Sequence, residues 1–359
     1  MLTNLWEVKK LFIALSAVLV WTAIPAVSAH AVSVGQSCAK TTLGTRVSAR
    51  INKKPVIVVC RNKAGRKQWI RAAVQTITTT TTSTSTTSTT VPAPAQNYTV
   101  AVDPNDPTLH TITINGMQPR TYYLKIPSKY VTGTAIPLLL ALHSRSTNAK
   151  TIFEDSQILP SAESSNFIVV GINGSIHEGY SSWNAGNCCT NATTYEENDL
   201  LAVSTIIDYV NSKYAIDQTR VWVMGHSNGG MMAYRLACDL SEKITAVAVV
   251  GGALVDPTCT PIKQVSLMQI HGDLDPTVPY QGGGKLDTPN IYYSTLDYSK
   301  ANSCTGPTEE SITSSEQRYT WNCAATTQVE LVNYMTQSHA WAPGYTEEIL
   351  RFLFAHPRK

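Results

Sequence analysis

The sequence predicts an α/β domain built on a mostly parallel, doubly wound sheet. Three observations carry this. Runs that read as fully buried strands recur from about Asn97 onward, helical apolar spacing alternates with them, and an alternating hairpin opens the region. Ahead of this domain the pattern predicts an export signal, a small basic β-rich module and a linker.

Residues 1–31 read as the signal. Lys9 and Lys10 precede the apolar run "LFIALSAVLVWTAIPAV", and small residues follow at Ala29 and Ala31. A membrane anchor is the competing reading. Pro25 and the cleavage-like "VSAHA" end the run near the lower length for a span, which favours a removable signal. No cysteine directly follows the run, which argues against a lipoprotein. The expectation is a secreted, extracellular protein with no membrane span after signal removal.

Residues 32–75 form the basic module. Ten Lys/Arg and no Asp or Glu lie between Cys38 and Gln75. "KPVIVVC" alternates like a strand, and "KAGRK" reads as a turn into another. Cys38 and Cys60 are the module's two cysteines and are expected to pair, because so small a unit needs a staple. Residues 76–96, "TITTTTTSTSTTSTTVPAPAQ", offer no apolar face and read as an extended Thr/Pro-rich linker. The net charge of +3 therefore hides an asymmetry, since sixteen basic residues face twenty-four acidic ones after the linker. The basic front points to an anionic cell-surface polymer as a partner held by screened charge. Nucleic acid also fits that charge but not the residue pattern, which lacks aromatic interleaving.

Residues 97–359 carry the α/β pattern. "HTITINGMQPRTYYLKIP" alternates around an Asn-Gly turn and predicts the opening hairpin. "IPLLLALH", "FIVVGING", "RVWVMG", "ITAVAVVGG", "VSLMQIHG" and "QVELVNYM" are the buried-strand runs. Helical spacing appears in "NDLLAVSTIIDYVNSKY", "GGMMAYRLACDL" and "YTEEILRFLFAH".

The chemistry is expected at the break between "RVWVMG" and "GGMMAYRLACDL". Gly225, His226, Ser227, Asn228 and Gly229 spell Gly-x-Ser-x-Gly between a strand and a helix. A serine on so sharp a turn projects its hydroxyl only if the residues two before and two after lack side chains. An alcohol needs a general base at neutral pH. His339 follows the last buried strand and stands after a suitable acid, whereas His177, in an earlier loop, is the weaker competitor. The acid is expected in "LMQIHGDLDPTVPY", with Asp275 favoured over Asp273. A carboxylate there fixes the imidazole tautomer and offsets the imidazolium charge. Oxyanion donors are expected at the amide of Asn228 and in the loop after "LLLALH", at Ser144 or Arg145.

Eight cysteines in an exported chain point to disulfides. Cys304 and Cys323 are expected to pair around an insertion before the last strand. Cys188, Cys189, Cys238 and Cys259 are expected to form two bridges of undetermined connectivity. No His/Cys cluster has zinc spacing, so no metal is expected.

Together, "ALHSRSTNA", "SSWNAGNCC", "GHSNGGMMAYRLAC", "IHGDLDPTVPY" and "SHAWAPG" resemble the secreted esterase and polyhydroxybutyrate depolymerase family, which includes the feruloyl and acetyl-xylan esterases of carbohydrate esterase family one. The resemblance spans roughly residues 105–359. It implies an α/β-hydrolase fold, no cofactor and hydrolysis of carboxylic esters, with Ser227 as nucleophile, Asp275 as acid and His339 as base. It also puts Trp183 and Trp341 near the site, lining a substrate pocket or packing. Two departures stand out. Ser144 occupies a position where the family usually has glycine, and a side chain there is expected to narrow the oxyanion loop. One residue, Ala342, separates Trp341 from Pro343 where the family usually has none. The expected function is a secreted serine esterase acting on a polymeric or oligomeric ester, first a polyhydroxybutyrate-type polyester, alternatively a feruloyl or acetyl ester on plant polysaccharide. An inert surface-binding protein is the reading from another class.

Overall fold

The computed structural model describes residues 98–359 except 190 and 257, with the backbone alone at 191 and in three earlier strands. Those strands, β1 (Arg46–Ile51), β2 (Lys54–Lys63) and β3 (Arg66–Arg71), form their own antiparallel sheet in the order β1-β2-β3. The module is therefore β-rich, as its alternation predicts. Residues 1–45, Cys38 among them, the side chain of Cys60, and the linker lie outside the described residues, so the signal and the Cys38–Cys60 pair are not addressed.

The second unit is an eleven-stranded sheet. Its opening strands are β4 (Tyr98–Val102), β5 (Leu109–Ile114) and β6 (Arg120–Lys125). Next come β7 (Ile136–Leu142), helices α1 (Ala149–Ser156) and α2 (Ile158–Ser165), and β8 (Ile168–Ile172). A small hairpin, β9 (Ser175–His177) and β10 (Tyr180–Ser182), precedes α3 (Asn191–Thr194) and α4 (Asp199–Lys213). Then follow β11 (Ile216–His226), α5 (Asn228–Asp239), β12 (Ala246–Val250), β13 (Ser266–Gly272) and α6 (Ile291–Ala301). The chain closes with β14 (Thr305–Thr313), β15 (Glu316–Asn322), β16 (Gln328–Tyr334) and α7 (Tyr345–Ala355).

The sheet order is β14-β15-β16-β13-β12-β11-β7-β8-β6-β5-β4. The strands from β16 through β8 run parallel; the hairpins at either edge run antiparallel. Every residue of β7 is buried. Leu138, Leu140 and Leu142 enter one core with α4, α5 and α6, while Leu139 and Ala141 enter the other with α1, α2 and α7. Burial on both faces is why these strands read as unbroken apolar runs. The parallel strands bring the loops after β7, β8, β11, β12, β13 and β16 to one rim, where open α/β sheets bind ligands.

Two disulfides brace this frame. Cys238–Cys259 ties the end of α5 to the segment leading into β13, and Cys304–Cys323 closes the β14–β15 insertion at its base. A further bridge is vicinal, Cys188–Cys189. No helix among the described residues is long and apolar enough to cross a membrane.

Candidate active site

The turn after β11 is as tight as its glycines imply. Ser227 sits at φ 55°, ψ −121°, strained for any residue with a Cβ. A Cβ on Gly225 would lie 2.3 Å from the carbonyl oxygen of Gly229. One on Gly229 would lie 2.3 Å from that of Leu142 and 2.5 Å from that of His143. The glycines thus let the elbow fold onto its own helix and onto the end of β7. Ser227 N–H is held by the Val250 carbonyl at 2.8 Å. Asn228, the first residue of α5, has an N–H with no intrahelical acceptor.

The candidate acid and base meet directly. Asp275 is buried, and its Oδ2 accepts from His339 Nδ1 at 2.6 Å. Its Oδ1 accepts from Thr277 and Val278 N–H, each at 2.8 Å. Burial alone would raise its pKa. The bond from His339, the Val278 N–H and the facing imidazoles outweigh that and hold it below the ordinary carboxylate value. Asp273 is exposed on the same loop. A Cβ on Gly272 would lie 2.2 Å from the Gln337 carbonyl oxygen, so that glycine lets the loop of the base press onto the loop of the acid.

His339 reaches the elbow through its neighbours. Its ring stacks on His226 with centroids 5.0 Å apart. Beside both rings is Gly251, where an added Cβ would stand 3.2 Å from His339 Nδ1 and 3.5 Å from His226 Nε2. No hydrogen bond joins the Ser227 hydroxyl to His339 among the described residues; such contacts commonly tighten only when substrate binds. His177, the competing histidine, is committed to Glu197 at 2.7 Å.

Ser144 turns its side chain toward the elbow. Its hydroxyl bonds His226 Nδ1 at 2.8 Å, tying the loop after β7 to the elbow. His143 orients the same loop. Its Nε2 accepts from Gly174 N–H at 2.9 Å, so its proton lies on Nδ1 and is donated to the Ser144 carbonyl at 2.7 Å. In a trans peptide the following N–H points opposite to that carbonyl. The Arg145 N–H is thereby turned away from the His143 ring. The Arg145 side chain is exposed and lies 5.0 Å over the Tyr180 ring.

The tryptophans divide. Trp183 is only 1% exposed, and its indole N–H is spent on the His143 carbonyl at 2.9 Å. Its backbone N–H and carbonyl pair with the Asn228 side chain at 2.8 and 3.2 Å. Of the two expectations for it, lining a pocket or packing, its burial and bonds favour packing beneath the elbow. Behind it, Asn184 N–H bonds Asp199 at 2.7 Å, and buried Arg120 holds both Asp199 at 2.9 Å and Glu197 at 2.8 Å. Trp341 is half-buried, edge-on to His226 at 6.3 Å, with its N–H on Thr346. These long-range supports carry no local sequence signal.

Burial lowers the pKa of His143, His226 and His271 to about 4 each; His339 adds to this at His226 and His271. The sign follows directly. An unfolded histidine titrates near 6.5, so between about pH 6.5 and 4 the unfolded chain binds more protons than the folded one. Stability should therefore be full above pH 6.5 and fall as pH drops toward 4. Protonating these buried rings should destabilise the fold progressively across that interval. Urea unfolding at pH 7, 5.5 and 4.5 measures this; equal free energies at all three would contradict it.

Residues 191–304, which include the elbow and Asp275, match the Phospholipase/Carboxylesterase family. Over 178 residues the chain is 30% identical to a probable feruloyl esterase C of Aspergillus niger, covering 48% of this chain and 60% of that one. Over 237 residues it is 27% identical to feruloyl esterase B of Piromyces equi, covering 63% and 43%. The matches thus span between about two-fifths and three-fifths of these relatives' own length. Among solved structures, an acetyl xylan esterase from Aspergillus awamori superposes with a TM-score of 0.52 at 15% identity, over 72% of this chain and 99% of that one. The chain has the α/β-hydrolase fold, is similar around its elbow to the phospholipase/carboxylesterase family, and over about half its length is similar to a feruloyl esterase.

Proposed function

We propose that this protein is a secreted serine esterase that hydrolyses feruloyl or acetyl esters on plant polysaccharide. The observation that carries the reading is the buried Asp275 bonded at 2.6 Å to His339, whose ring stacks beside the elbow bearing Ser227. His339 takes the proton of Ser227 as the hydroxyl oxygen attacks the ester carbonyl. The N–H groups of Asn228 and of the Ser144–Arg145 loop hold the oxyanion. His339 then protonates the leaving alcohol, and water activated by the same imidazole releases the acid. Asp275 holds the proton-bearing Nδ1 throughout. No step uses a cofactor or metal.

The similarity to feruloyl esterases moves the polysaccharide ester ahead of the polyester that the sequence puts first. The basic module is read as an anchor on anionic cell-surface polymer. The deciding experiment compares product release from feruloylated arabinoxylan, acetylated xylan and polyhydroxybutyrate film by the full chain. Ferulate or acetate release, with little from the film, is expected. Release from the film alone would restore the polyester reading, and no release from any ester would favour an inert binding protein.

A further inference from the structure

Beside the oxyanion loop lies a cleft of about 390 Å³ that the reaction above does not use. Gln118, Ser146, Asn148, Asn173, Ile176 and Ser181 are among its lining residues, and none of its lining residues is ionisable. It sits on the same rim as the elbow, between the loops after β7 and β8 and the start of β6. Its volume falls within the usual range of about 300–1,000 Å³ for ligand sites.

Floor and edge differ in what their polar groups do. Asn173 accepts from Ala149 N–H at 2.7 Å and donates to Thr121 at 2.8 Å. Ser181 donates to the Thr147 carbonyl, and its own carbonyl accepts from Ser146 N–H at 2.8 Å. The floor is thus fixed by bonds within the frame. At the edge, the Gln118 amide, the Ser146 hydroxyl and the amide nitrogen of Asn148 have no partner among the described residues. Ser146 keeps its side chain at φ 63°, a conformation that favours glycine. An apolar lip completes the cleft at Ile176, which is 63% exposed.

We propose that this cleft is a subsite for a neutral polysaccharide, the alcohol portion of the ester cleaved at Ser227. The inference rests on the esterase reading. Amides and a hydroxyl both donate and accept, which matches the hydroxyls of a sugar; an aliphatic polyester offers acceptors alone. Ile176 supplies apolar surface for the C–H face of a ring. The absence of charge along the lining disfavours a charged ligand. The cleft shares the 144–148 loop with the candidate oxyanion donors, so a chain lying in it brings its ester toward the elbow.

The test uses the full chain with Gln118→Ala and Ile176→Ala combined, both exposed and outside the catalytic set. On a feruloylated arabinoxylan oligosaccharide, kcat/KM should fall about tenfold or more, while methyl ferulate turnover stays within about twofold. Equal values on both esters would overturn the cleft proposal and leave the esterase reading standing. An equal loss on both would also overturn it, placing the effect in the catalytic site. If the unaltered protein cleaves neither ester, the esterase reading fails, and calorimetric titration of the Ser227→Ala protein with unesterified arabinoxylan oligosaccharide decides the cleft. Binding that the double change weakens about tenfold supports the subsite; absent or unchanged binding overturns it.

Discussion

Ser227→Ala should lower kcat on a short p-nitrophenyl ester by about 10^6 and leave the folded state intact. The loss is large because in the proposed mechanism the hydroxyl oxygen forms the acyl-enzyme, and the other hydroxyl at the elbow, that of Ser144, is bonded to His226 rather than to the proposed base. Stability should not change, because alanine keeps the Cβ that makes φ 55° strained and removes only an oxygen. Ser227→Gly is the informative partner. It should be equally inactive yet more stable by about 1–3 kcal/mol, since glycine tolerates that conformation. Steady-state rates and urea unfolding on both variants measure the two effects separately. Substantial turnover by the alanine variant would remove Ser227 from the mechanism.

Asp275→Asn should cost about 10^4 in kcat with little change in KM. The geometry says why so small a change is so damaging. Oδ1 accepts two backbone N–H groups, from Thr277 and Val278. An asparagine must turn its oxygen to those donors, which leaves its NH2 facing His339 Nδ1. That nitrogen must then accept, the imidazole proton moves to Nε2, and the base can no longer take a proton from Ser227. Nuclear magnetic resonance of the imidazole should report the switched tautomer, and Asp275→Ala should lose the orienting bond without enforcing the wrong one. An asparagine variant with near-normal kcat would show that the 2.6 Å contact is structural only.

The parallel core was legible because burial on both faces removes polar alternation, and strands β7, β8, β11, β12, β13 and β16 read directly as apolar runs. Helix α6 was not, for a physical reason. Its buried positions, Ile291, Ser294, Thr295, Tyr298 and Ser299, follow helical spacing. Most are hydroxyl-bearing, and Ser294 and Thr295 satisfy themselves on the Ile291 carbonyl, so the apolar stripe is disguised. Strand β14 was hidden differently: every residue is exposed, leaving no pattern to read. At the site, the three chemical residues stood in recognisable local motifs. The bond from Ser144 to His226 did not, because it joins residues 82 apart and depends on the finished fold.

The β14–β15 hairpin lies between acid and base in the chain but not in space. It is closed at its base by Cys304–Cys323, and its outer strand is solvent-exposed throughout. The position of His339 is set instead by β16 lying alongside β13 and by the close approach at Gly272. The hairpin tip stands at the same rim as the site, where the Ser315 carbonyl accepts from Met335 N–H at 2.9 Å just before the His339 loop. The exposed strand β14, away from its tip, is therefore where sequence can vary or carry a label while the site geometry stays in register.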